Sequence, residues 1–503
     1  MLNKKYNFTI KSEGEMKVPV KFFFPHKSIN LNANTITCLK RMAMTSGIYK
    51  HIAVLPDIHY KYSRPIPTGI VVATKNVIIP KFVFSSCGMS FIRTNLKSNN
   101  LDDKLLDNFF FKIKEKIPVL KRKDFINEKD FRKIISEGIL WSEKKFGVKE
   151  AGNIEHNGNM FNDSKINSSE LMRLIPNLTK KLGLVGIGVH GGGNHFIEMQ
   201  RVQKIVDKKI AEEFGIKRNQ IIIMLHSGSE VFGKSMHEHY TGKSEKSFYR
   251  EIYQRLYYLD IIKNKTFKDF IKTINKNINI IYRYFEWKST SKRIVKRKFK
   301  TISADSAEGK KFVKSKYLEA NYAYVNRAVL RNFILESLEE VFGKIKTNLL
   351  WDNDHESFQR ETIERNQLWL HRHGASRALS REYFKTHNIF KKTGQPIFVP
   401  GSMGAPTYLC AVKGGCRDTF FSANHGAGRI LDRPEAQMKF NEKSIINEMK
   451  RKKIRLYRYG LGNLVEEAPS TYKNVDSVIK IMSANDIAQP VAKLMPIATL
   501  KGN

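Results

Sequence analysis

Four side chains of the kind that ligate transition metals stand beside turn-forming residues in this sequence. His195 follows three glycines in Gly191-Gly192-Gly193-Asn194-His195-Phe196-Ile197-Glu198, while His226, His355 and Cys87 each come close to the end of an apolar run. A neutral imidazole is the commonest protein ligand for a transition metal, and a thiolate makes the set borderline soft. Such ligands suit Zn, Mn, Fe or Co rather than Mg or Ca, and ligand chemistry alone does not choose among those four metals.

His425 stands in a different setting. In His425-Gly426-Ala427-Gly428-Arg429, small residues leave the imidazole in an open loop, and the planar guanidinium of Arg429 has the shape that grips a phosphate. One interpretation is a nucleophilic or phosphate-binding histidine. The other is a turn that leads into a helix, and the spacing favours neither.

Strand-like runs position most of these residues. Apolar segments at 52–55, 78–84, 220–225, 347–351, 367–370, 396–399 and 419–421 each stop at a polar or glycine-rich segment. Buried strands that end in such loops bring side chains from distant positions to one site. We therefore predict that strand ends assemble the site. Residues 318–342 show the best amphipathic helical pattern in the chain and are predicted to pack in the core.

Bulk composition limits the class of protein. With 503 residues, 41% of them hydrophobic, the chain has enough apolar material for a large core, and four cysteines indicate a reducing compartment rather than a disulfide scaffold. It contains no run of about 20 apolar residues and begins without the apolar segment of a signal peptide, so we expect a soluble cytoplasmic protein with no membrane partner. Neither the Gly-x-x-x-x-Gly-Lys-Ser/Thr phosphate loop nor the Gly-x-Ser-x-Gly hydrolase motif occurs.

The charge balance indicates a polyanionic partner such as a nucleic acid. The chain has 88 Lys and Arg residues against 48 Asp and Glu residues, which gives a net charge of +40. Part of this excess lies in residues 240–300, a segment of helical period that ends in a basic run between 283 and 300 with aromatic residues interleaved. The segment is either a solvated helical insertion or an arm that contacts RNA, and we favour the first interpretation slightly.

A series of motifs in one order resembles the RtcB family of RNA-splicing ligases, from about residue 45 to the end of the chain. The motifs are Pro56-Asp57-Ile58-His59, Cys87-Gly88-Met89, the segment from Gly191 to Glu198, His226-Ser227-Gly228-Ser229, Gly374-Ala375-Ser376-Arg377, Pro400-Gly401-Ser402-Met403-Gly404, His425 to Arg429, Glu467-Ala468-Pro469, Tyr472-Lys473-Asn474-Val475-Asp476 and Lys501-Gly502.

The resemblance implies an α+β fold with central β-sheets flanked by helices. It implies one catalytic domain over residues 1–503, with the basic helical insertion at 240–300 inside it. The implied activity is a ligase, dependent on GTP and Mn²⁺, that joins RNA 3′-phosphate or 2′,3′-cyclic phosphate ends to 5′-hydroxyl ends in RNA repair or tRNA splicing. We expect RNA as the partner and a monomer as the oligomeric state.

The resemblance also assigns residues to roles. His425 matches the histidine that becomes guanylylated, and Arg429 lies beside it as a second catalytic residue. The residues that match metal ligands are Cys87, His195, His226 and His355. The residues that match the guanylate pocket are Asn194, Glu198, Ser402, Thr407, Tyr472 and Lys501.

Four positions depart from the family pattern. Phe84 stands where the family has a metal-binding Asp three residues before the cysteine, so one metal ligand is missing, and Asp354 or Glu356 is the candidate substitute. Glu230 stands where the family has Arg, Glu356 where it has Asn, and His373 where it has Lys. Two alternatives to an active ligase therefore stay open: a degenerate paralogue that binds GTP and RNA without sealing, and a metal phosphoesterase that acts on RNA ends.

Overall fold

The computed structural model describes residues 7–26, 29, 31–61, 64–82, 86–161, 167–241, 299–387, 389–460 and 462–502. Phe84 lies outside the described residues, and so does the predicted 240–300 insertion apart from its two ends. The RNA-arm interpretation of that insertion therefore stays a prediction.

Helices and strands alternate irregularly along the chain. The strands are β1 (Phe8–Ile10), β2 (Val20–Phe22), β3 (Ile48–Lys61), β4 (Arg64–Thr74), β5 (Val77–Ile78), β6 (Gly88–Lys97), β7 (Phe196–Ile205), β8 (Gln220–Ser227), β9 (Ile302–Ser303), β10 (Thr347–Asp354), β11 (Phe358–Ile363), β12 (Asn366–His373), β13 (Ala375–Arg377), β14 (Pro396–Pro400), β15 (Thr407–Val412), β16 (Ser422–Asn424), β17 (Arg455–Arg458) and β18 (Ala488–Lys501).

The helices mostly lie in the sequence between strands. They are α1 (Ala33–Ala43), α2 (Asp103–Lys116), α3 (Glu128–Glu137), α4 (Ile139–Phe146), α5 (Ser168–Arg173), α6 (Asn177–Val185), α7 (Lys208–Glu213), α8 (Glu230–Thr241), α9 (Ala307–Phe342), α10 (Phe390–Thr393), α11 (Arg433–Lys439), α12 (Glu442–Arg451) and α13 (Val475–Ala484). The fold is therefore α+β, as expected.

Two sheets form the centre of the molecule. The large sheet has eight strands in the order β10-β6-β8-β7-β18-β15-β14, with β17 paired to β18. The second sheet has six strands in the order β1-β2-β3-β4-β12-β11. Neighbouring strands are antiparallel except in the pairs β17–β18 and β2–β3. One hydrophobic cluster, with Leu55, Leu370, Ile397, Cys410 and Val478 among its members, joins the two sheets and α13.

Burial on both faces explains the unbroken apolar run of β8. Ile221, Ile223 and Leu225 pack in a cluster with α2 and α9, whereas Ile222 and Met224 pack in a cluster on the opposite face. A strand covered on both sides needs apolar residues at every position, because alternate side chains point to opposite faces. The strand predicted at 220–225 is thus confirmed.

Two predicted strands are wrong. In the described part of the segment 78–84, Ile78 alone belongs to a strand, β5, and Pro80–Phe82 form a 3₁₀ turn because proline has no N–H for the sheet ladder. Of the segment 419–421, Phe420 and Phe421 hold φ angles of 53° and 51°, which a strand does not allow, and β16 begins only at Ser422. Cys87 consequently precedes a strand instead of following one.

Helix α9 is a core element, as predicted, but its central part is buried on all sides rather than on one face. Every residue from Leu318 to Arg331 is buried, so the helix is covered all round over that length. Polar side chains on it bind other buried groups: Arg327 donates to Asp352 Oδ1 at 2.8 Å and to Asp354 Oδ1 at 2.9 Å. Arg331 also contacts Asp352, at 2.5 Å. These ion pairs hold the end of β10 against α9.

No helix in the described ranges combines the length and the apolar character needed to cross a membrane.

The Arg327 pairs generate a stability prediction. Because both carboxylates are buried, Arg327→Met leaves Asp352 and Asp354 with less counter-charge and should lower the free energy of unfolding by about 3 to 5 kcal/mol. The matched control is Lys144→Met, whose side chain is 72% exposed in its pair with Glu137 and should change stability by less than about 1 kcal/mol. Urea unfolding of both variants tests this, and equal unfolding midpoints would contradict it.

Candidate active site

One edge of the large sheet brings together residues from distant parts of the chain. Adjacent strands β10, β6, β8, β7 and β18 are antiparallel, so strand ends and strand starts alternate along this edge. The register pairs Asp354 with Gly88, Gly88 with Ser227, His226 with Phe196, and Phe196 with Lys501. The residues that bound these strands therefore lie side by side.

Cys87, His195, His226 and His355, here called the Cys–His cluster, meet at this edge. One ligand atom from each of Cys87, His195 and His226 lies within 4.8 Å of the other two. The Cys87 sulfur is 3.4 Å from His195 Nε2, and His226 Nε2 is 3.1 Å from His355 Nε2. Two imidazole nitrogens that face each other this closely need a proton or a cation between them. The donor set and its spacing therefore fit a transition metal ion.

Protonation differs within the Cys–His cluster. Burial lowers the pKa of His226 and of His355 well below the ordinary value, so both rings are neutral near pH 7 and able to ligate. Burial acts in the same direction on His195, but the Glu230 carboxylate and the Cys87 sulfur outweigh it and raise its pKa to about 10.

His425 follows the short strand β16 and is held by a buried carboxylate. Asp57 Oδ2 lies 2.7 Å from His425 Nδ1 and also accepts the backbone N–H of His425 at 3.1 Å. Asp57 is fully buried within β3. Because a carboxylate only accepts hydrogen bonds, it fixes the ring proton on Nδ1 and leaves the lone pair on Nε2. The ring centroid of His425 lies 5.1 Å from that of His355.

The loop around His425 packs tightly on the strand that carries Asp57. Gly428 has a φ of +76°, and a Cβ there would lie 2.1 Å from the Asp57 carbonyl oxygen. The Nζ group of Lys473 donates to the Pro56 carbonyl at 2.9 Å and to the Ile58 carbonyl, on either side of Asp57. Burial lowers the pKa of Lys473 to about 8. These contacts fix the position of the carboxylate that orients His425.

If the Cys–His cluster and His425 are taken as the first wall of the site, Glu198 lies in the second wall. Both oxygens of its carboxylate accept hydrogen bonds. Gln200 Nε2 donates to Oε2 at 2.7 Å, and Thr499 Oγ1 donates to Oε1 at 3.1 Å. Burial raises the pKa of Glu198. Thr407, predicted to contact the guanylate, is instead buried behind this wall, where its Oγ1 accepts from Gln200 Nε2 at 3.0 Å. It supports Glu198 through Gln200 and is not among the residues that line the cavity, so its role in guanylate binding stays a prediction.

The third wall of the site contains Glu467, whose carboxylate forms ion pairs with three cationic side chains. Its carboxylate lies 3.4 Å from Arg429, 3.5 Å from Arg433 and 3.8 Å from Lys501. Tyr472 donates its hydroxyl to Glu467 Oε2 at 2.5 Å. Burial opposes ionisation, but Lys501, Arg429 and Arg433 lower the pKa of Glu467 to about 2. The Glu467 carboxylate therefore stays ionised and links the cationic side chains of this wall.

Arg429 is engaged within the wall. It donates to Tyr472 Oη at 3.1 Å, to the Leu431 carbonyl at 2.9 Å and to the Glu466 carbonyl, and its guanidinium lies 4.9 Å from the centre of the Tyr472 ring. It is 5% exposed. In the structure its donors bind Tyr472 and two backbone carbonyls, and the predicted contact of its guanidinium with a phosphate stays a prediction.

These walls enclose one cavity of about 520 Å³. Asn194, whose side chain is exposed, and Ser402, which is half-buried, also line the cavity. The predicted site residues that line it are Cys87, Asn194, His195, Glu198, His226, His355, Ser402, His425, Arg429, Tyr472 and Lys501. The cavity thus contains a nucleophile candidate, a metal-ligand set and several cations, an arrangement suited to phosphoryl or nucleotidyl transfer.

Comparison with known proteins agrees with the motifs. The family model described as "tRNA-splicing ligase RtcB" matches residues 38–502. The chain belongs to the RtcB family. A tRNA-splicing ligase RtcB of Nanoarchaeum equitans is 29% identical, with 99% of this chain and 98% of the relative covered. The chain is also similar to relatives of the same name from two other organisms. The relative from Methanococcus maripaludis is 28% identical, with 99% of this chain and 98% of the relative covered. The relative from Thermococcus kodakarensis is 27% identical, with 98% of this chain and 96% of the relative covered.

Three of the four departures from the RtcB pattern have described positions in the site, and the fourth, Phe84, lies outside the described residues. Glu356 lines the cavity and lies 3.6 Å from His373 Nε2, so two of the changed residues contact each other. Asp354, one of the two candidates for a substitute metal carboxylate, is buried and bound by Arg327. Of the two candidates, Glu356 is the one that faces the cavity. Glu230 contacts His195 Nδ1 at 2.9 Å.

Sequence reasoning missed several RtcB-site residues. Asp57 belongs to the motif Pro56-Asp57-Ile58-His59, but nothing in the sequence links it to His425, which lies in a distant segment. Glu467 belongs to a motif that gives it no role, and Arg433 and Gln200 lie in none of the motifs. A search for carboxylates near strand ends, as partners for unpaired histidines and arginines, would have selected Asp57 and Glu467 as candidates.

The ion pairs of Glu467 predict a pH-dependent stability. A carboxyl with a lowered pKa stabilises the fold above its unfolded pKa and loses this effect as pH falls through its folded pKa. Glu467→Gln should therefore lower the free energy of unfolding by roughly 3 kcal/mol at pH 7, and the difference from the wild type should shrink between pH 4.5 and about 2. Urea unfolding at pH 7 and pH 3.5 measures this.

The control for that prediction is Glu128→Gln, because Glu128 is 65% exposed in its pair with Arg132 and should contribute less than about 1 kcal/mol. A Glu467→Gln protein as stable as the wild type at pH 7, or a difference that is the same at both pH values, would show that the three cations do not depend on this carboxylate.

Proposed function

We propose that this protein is an RNA ligase that joins RNA 3′-phosphate or 2′,3′-cyclic phosphate ends to 5′-hydroxyl ends, with GTP and Mn²⁺ as cofactors. The observation that carries the proposal is the His425–Asp57 pair, which opens into the same cavity as the Cys–His cluster. Membership of the RtcB family supports the class of reaction, and the names of the relatives suggest tRNA as one substrate.

His425 is the nucleophile in this proposal. Its Nε2 attacks the α-phosphorus of GTP, the bond to the β-phosphate oxygen breaks, and pyrophosphate leaves with that electron pair. The N–P bond formed makes the ring cationic, because the Nδ1 proton stays in place. The Asp57 carboxylate, 2.7 Å from Nδ1, stabilises this charge and holds the ring in the required orientation.

The guanylate lies along the second and third walls in this proposal. Glu198 keeps lone pairs available beyond those used by Gln200 and Thr499, and a carboxylate is well shaped to accept from the N1 and N2 groups of guanine. Tyr472 offers an aromatic surface for stacking, and Asn194 and Ser402 add polar contacts. Lys501 brings a positive charge to the phosphate side.

The Cys–His cluster would hold the metal. Cys87, His195, His226 and His355 have the donor atoms for a Mn²⁺ ion, which when bound supplies positive charge that neutralises phosphate groups. Lys61, Lys234 and Arg433 also line the cavity and add positive charge there. The net charge of +40 favours RNA as the polyanion that is brought to it.

A non-sealing paralogue is the second candidate function. The carboxylate of Glu230 stands where the family has a cation, which weakens phosphate binding at that point of the cavity, and Phe84 provides no metal ligand. Guanylylation of His425 without ligation is the result that distinguishes this candidate from a ligase.

The test uses α-labelled GTP with Mn²⁺, and intact mass as a second measurement. We expect one guanylate on the wild type and none on His425→Ala, because Nε2 of His425 is the attacking atom. His239→Ala removes an exposed histidine at the far end of α8 and should label normally. Label that persists on His425→Ala would contradict the assignment of the nucleophile.

RNA with defined ends then separates the candidate functions. Sealing of 3′-phosphate to 5′-hydroxyl ends supports the ligase, whereas a labelled protein that seals no RNA supports the non-sealing paralogue. Opening of a cyclic phosphate in the absence of GTP, with no label on His425, would support the phosphoesterase alternative instead.

A further inference from the structure

Glu230 is the departure from the family pattern that lies closest to the metal ligands. Its Oε1 atom is 2.9 Å from His195 Nδ1, and the opposite ring nitrogen, Nε2, is the one 3.4 Å from the Cys87 sulfur. The carboxylate and the thiol thus lie on the two different nitrogens of one imidazole. Both side chains of the Glu230–His195 pair are only 10% exposed.

The carboxylate is itself held in place. The same Oε1 atom accepts the Ser227 hydroxyl at 2.9 Å and the Gly228 N–H at 3.3 Å. An ionised carboxylate oxygen and an unprotonated ring nitrogen would repel each other at 2.9 Å, so this distance favours a proton on His195 Nδ1. That assignment leaves Nε2, on the Cys87 side, as the nitrogen that can bind a metal.

The backbone around the pair is shaped to admit it. A Cβ at Gly191 would lie 2.1 Å from His195 Nδ1 and 2.2 Å from Glu230 Oε2, so only glycine leaves room for the contact. Glu230 adopts a φ of +47°, a left-handed conformation that a glutamate rarely holds. Strain of this kind persists only where the surrounding contacts maintain it.

We propose that Glu230 is a positioning residue for the metal site: it orients His195 so that Nε2 faces Cys87 and the ion. The proposal rests on the metal site of the proposed function. A carboxylate that contacts the outer nitrogen of a metal-ligating imidazole would fix the tautomer and raise the basicity of the ligand. In this proposal Glu230 contacts His195 Nδ1 and does not itself bind the ion, so it does not replace the metal ligand missing at position 84.

The experiment measures Co²⁺ binding to the metal-free full-length protein by competition with a chelator, with the thiolate-to-cobalt absorption band as the second measurement. Glu230→Ala should weaken Co²⁺ binding by about 10- to 100-fold and keep the band at saturation. Glu230→Gln retains an acceptor oxygen at the Oε1 position and should lose much less. Glu238→Ala, on the same helix but away from the cavity, should bind as the wild type does.

A second variant checks the geometry without removing the carboxylate. Gly191→Ala should weaken Co²⁺ binding as Glu230→Ala does, because the added methyl group displaces the pair. Circular dichroism and the thermal unfolding midpoint confirm that each variant is folded. Wild-type affinity in Glu230→Ala would overturn the proposal.

Two further outcomes separate this proposal from the metal site itself. If Glu230→Gln binds as weakly as Glu230→Ala and its cobalt spectrum changes, Glu230 is a direct ligand and the positioning role is wrong. If Cys87→Ser and His195→Ala bind Co²⁺ as the wild type does, the metal site is wrong, and the positioning role fails with it while the His425 assignment is unaffected.

Discussion

Antiparallel neighbours in a sheet present, along any one edge, the end of one strand beside the start of the next, and the site depends on this geometry. In the large sheet, β10 and β8 end where β6 and β7 begin, and β18 ends next to them. Residues from position 87 to position 501 are therefore brought to one edge without a long loop. The second sheet supplies Asp57 from β3, and β16 delivers His425 to that carboxylate.

Buried charged groups at this site lie against groups of opposite charge. Arg327 pairs with both Asp352 and Asp354 behind the Cys–His cluster, and Glu467 pairs with three cations at the opposite wall. An isolated buried charge is costly, whereas a paired one keeps its ionisation and fixes its neighbours. The consequence is a cavity whose walls are set before a substrate enters, which is what stabilisation of developing phosphate charge requires.

The sequence allowed the Cys–His cluster and His425 to be predicted because each stands in a short motif next to a strand. It allowed β8 to be predicted because a strand covered on both faces contains an unbroken apolar run. It did not reveal the pairing of Asp57 with His425, since that contact depends on how β3 packs beside β16. It also did not reveal the hydrogen bonds of Arg429 and Thr407, because a motif identifies a residue type and not the neighbours that share its hydrogen bonds.

The departures from the family pattern likewise show that the sequence does not reveal which groups a changed residue contacts. The sequence shows Glu230 only as a reversed charge, whereas the structure shows that its carboxylate contacts Nδ1 of His195, a candidate metal ligand. Glu356 and His373 likewise depart separately from the family pattern, yet they lie 3.6 Å apart. A substitution in an enclosed site is interpretable only together with the groups it contacts.

The most direct measurement is a crystal structure of the protein incubated with GTP and Mn²⁺, with anomalous data collected at the manganese edge. The account predicts electron density for a guanylate bonded to His425 Nε2, with Nδ1 still against Asp57, and an anomalous peak beside Cys87 and His226. A guanylate bonded to another residue, or manganese bound away from the Cys–His cluster, would contradict it.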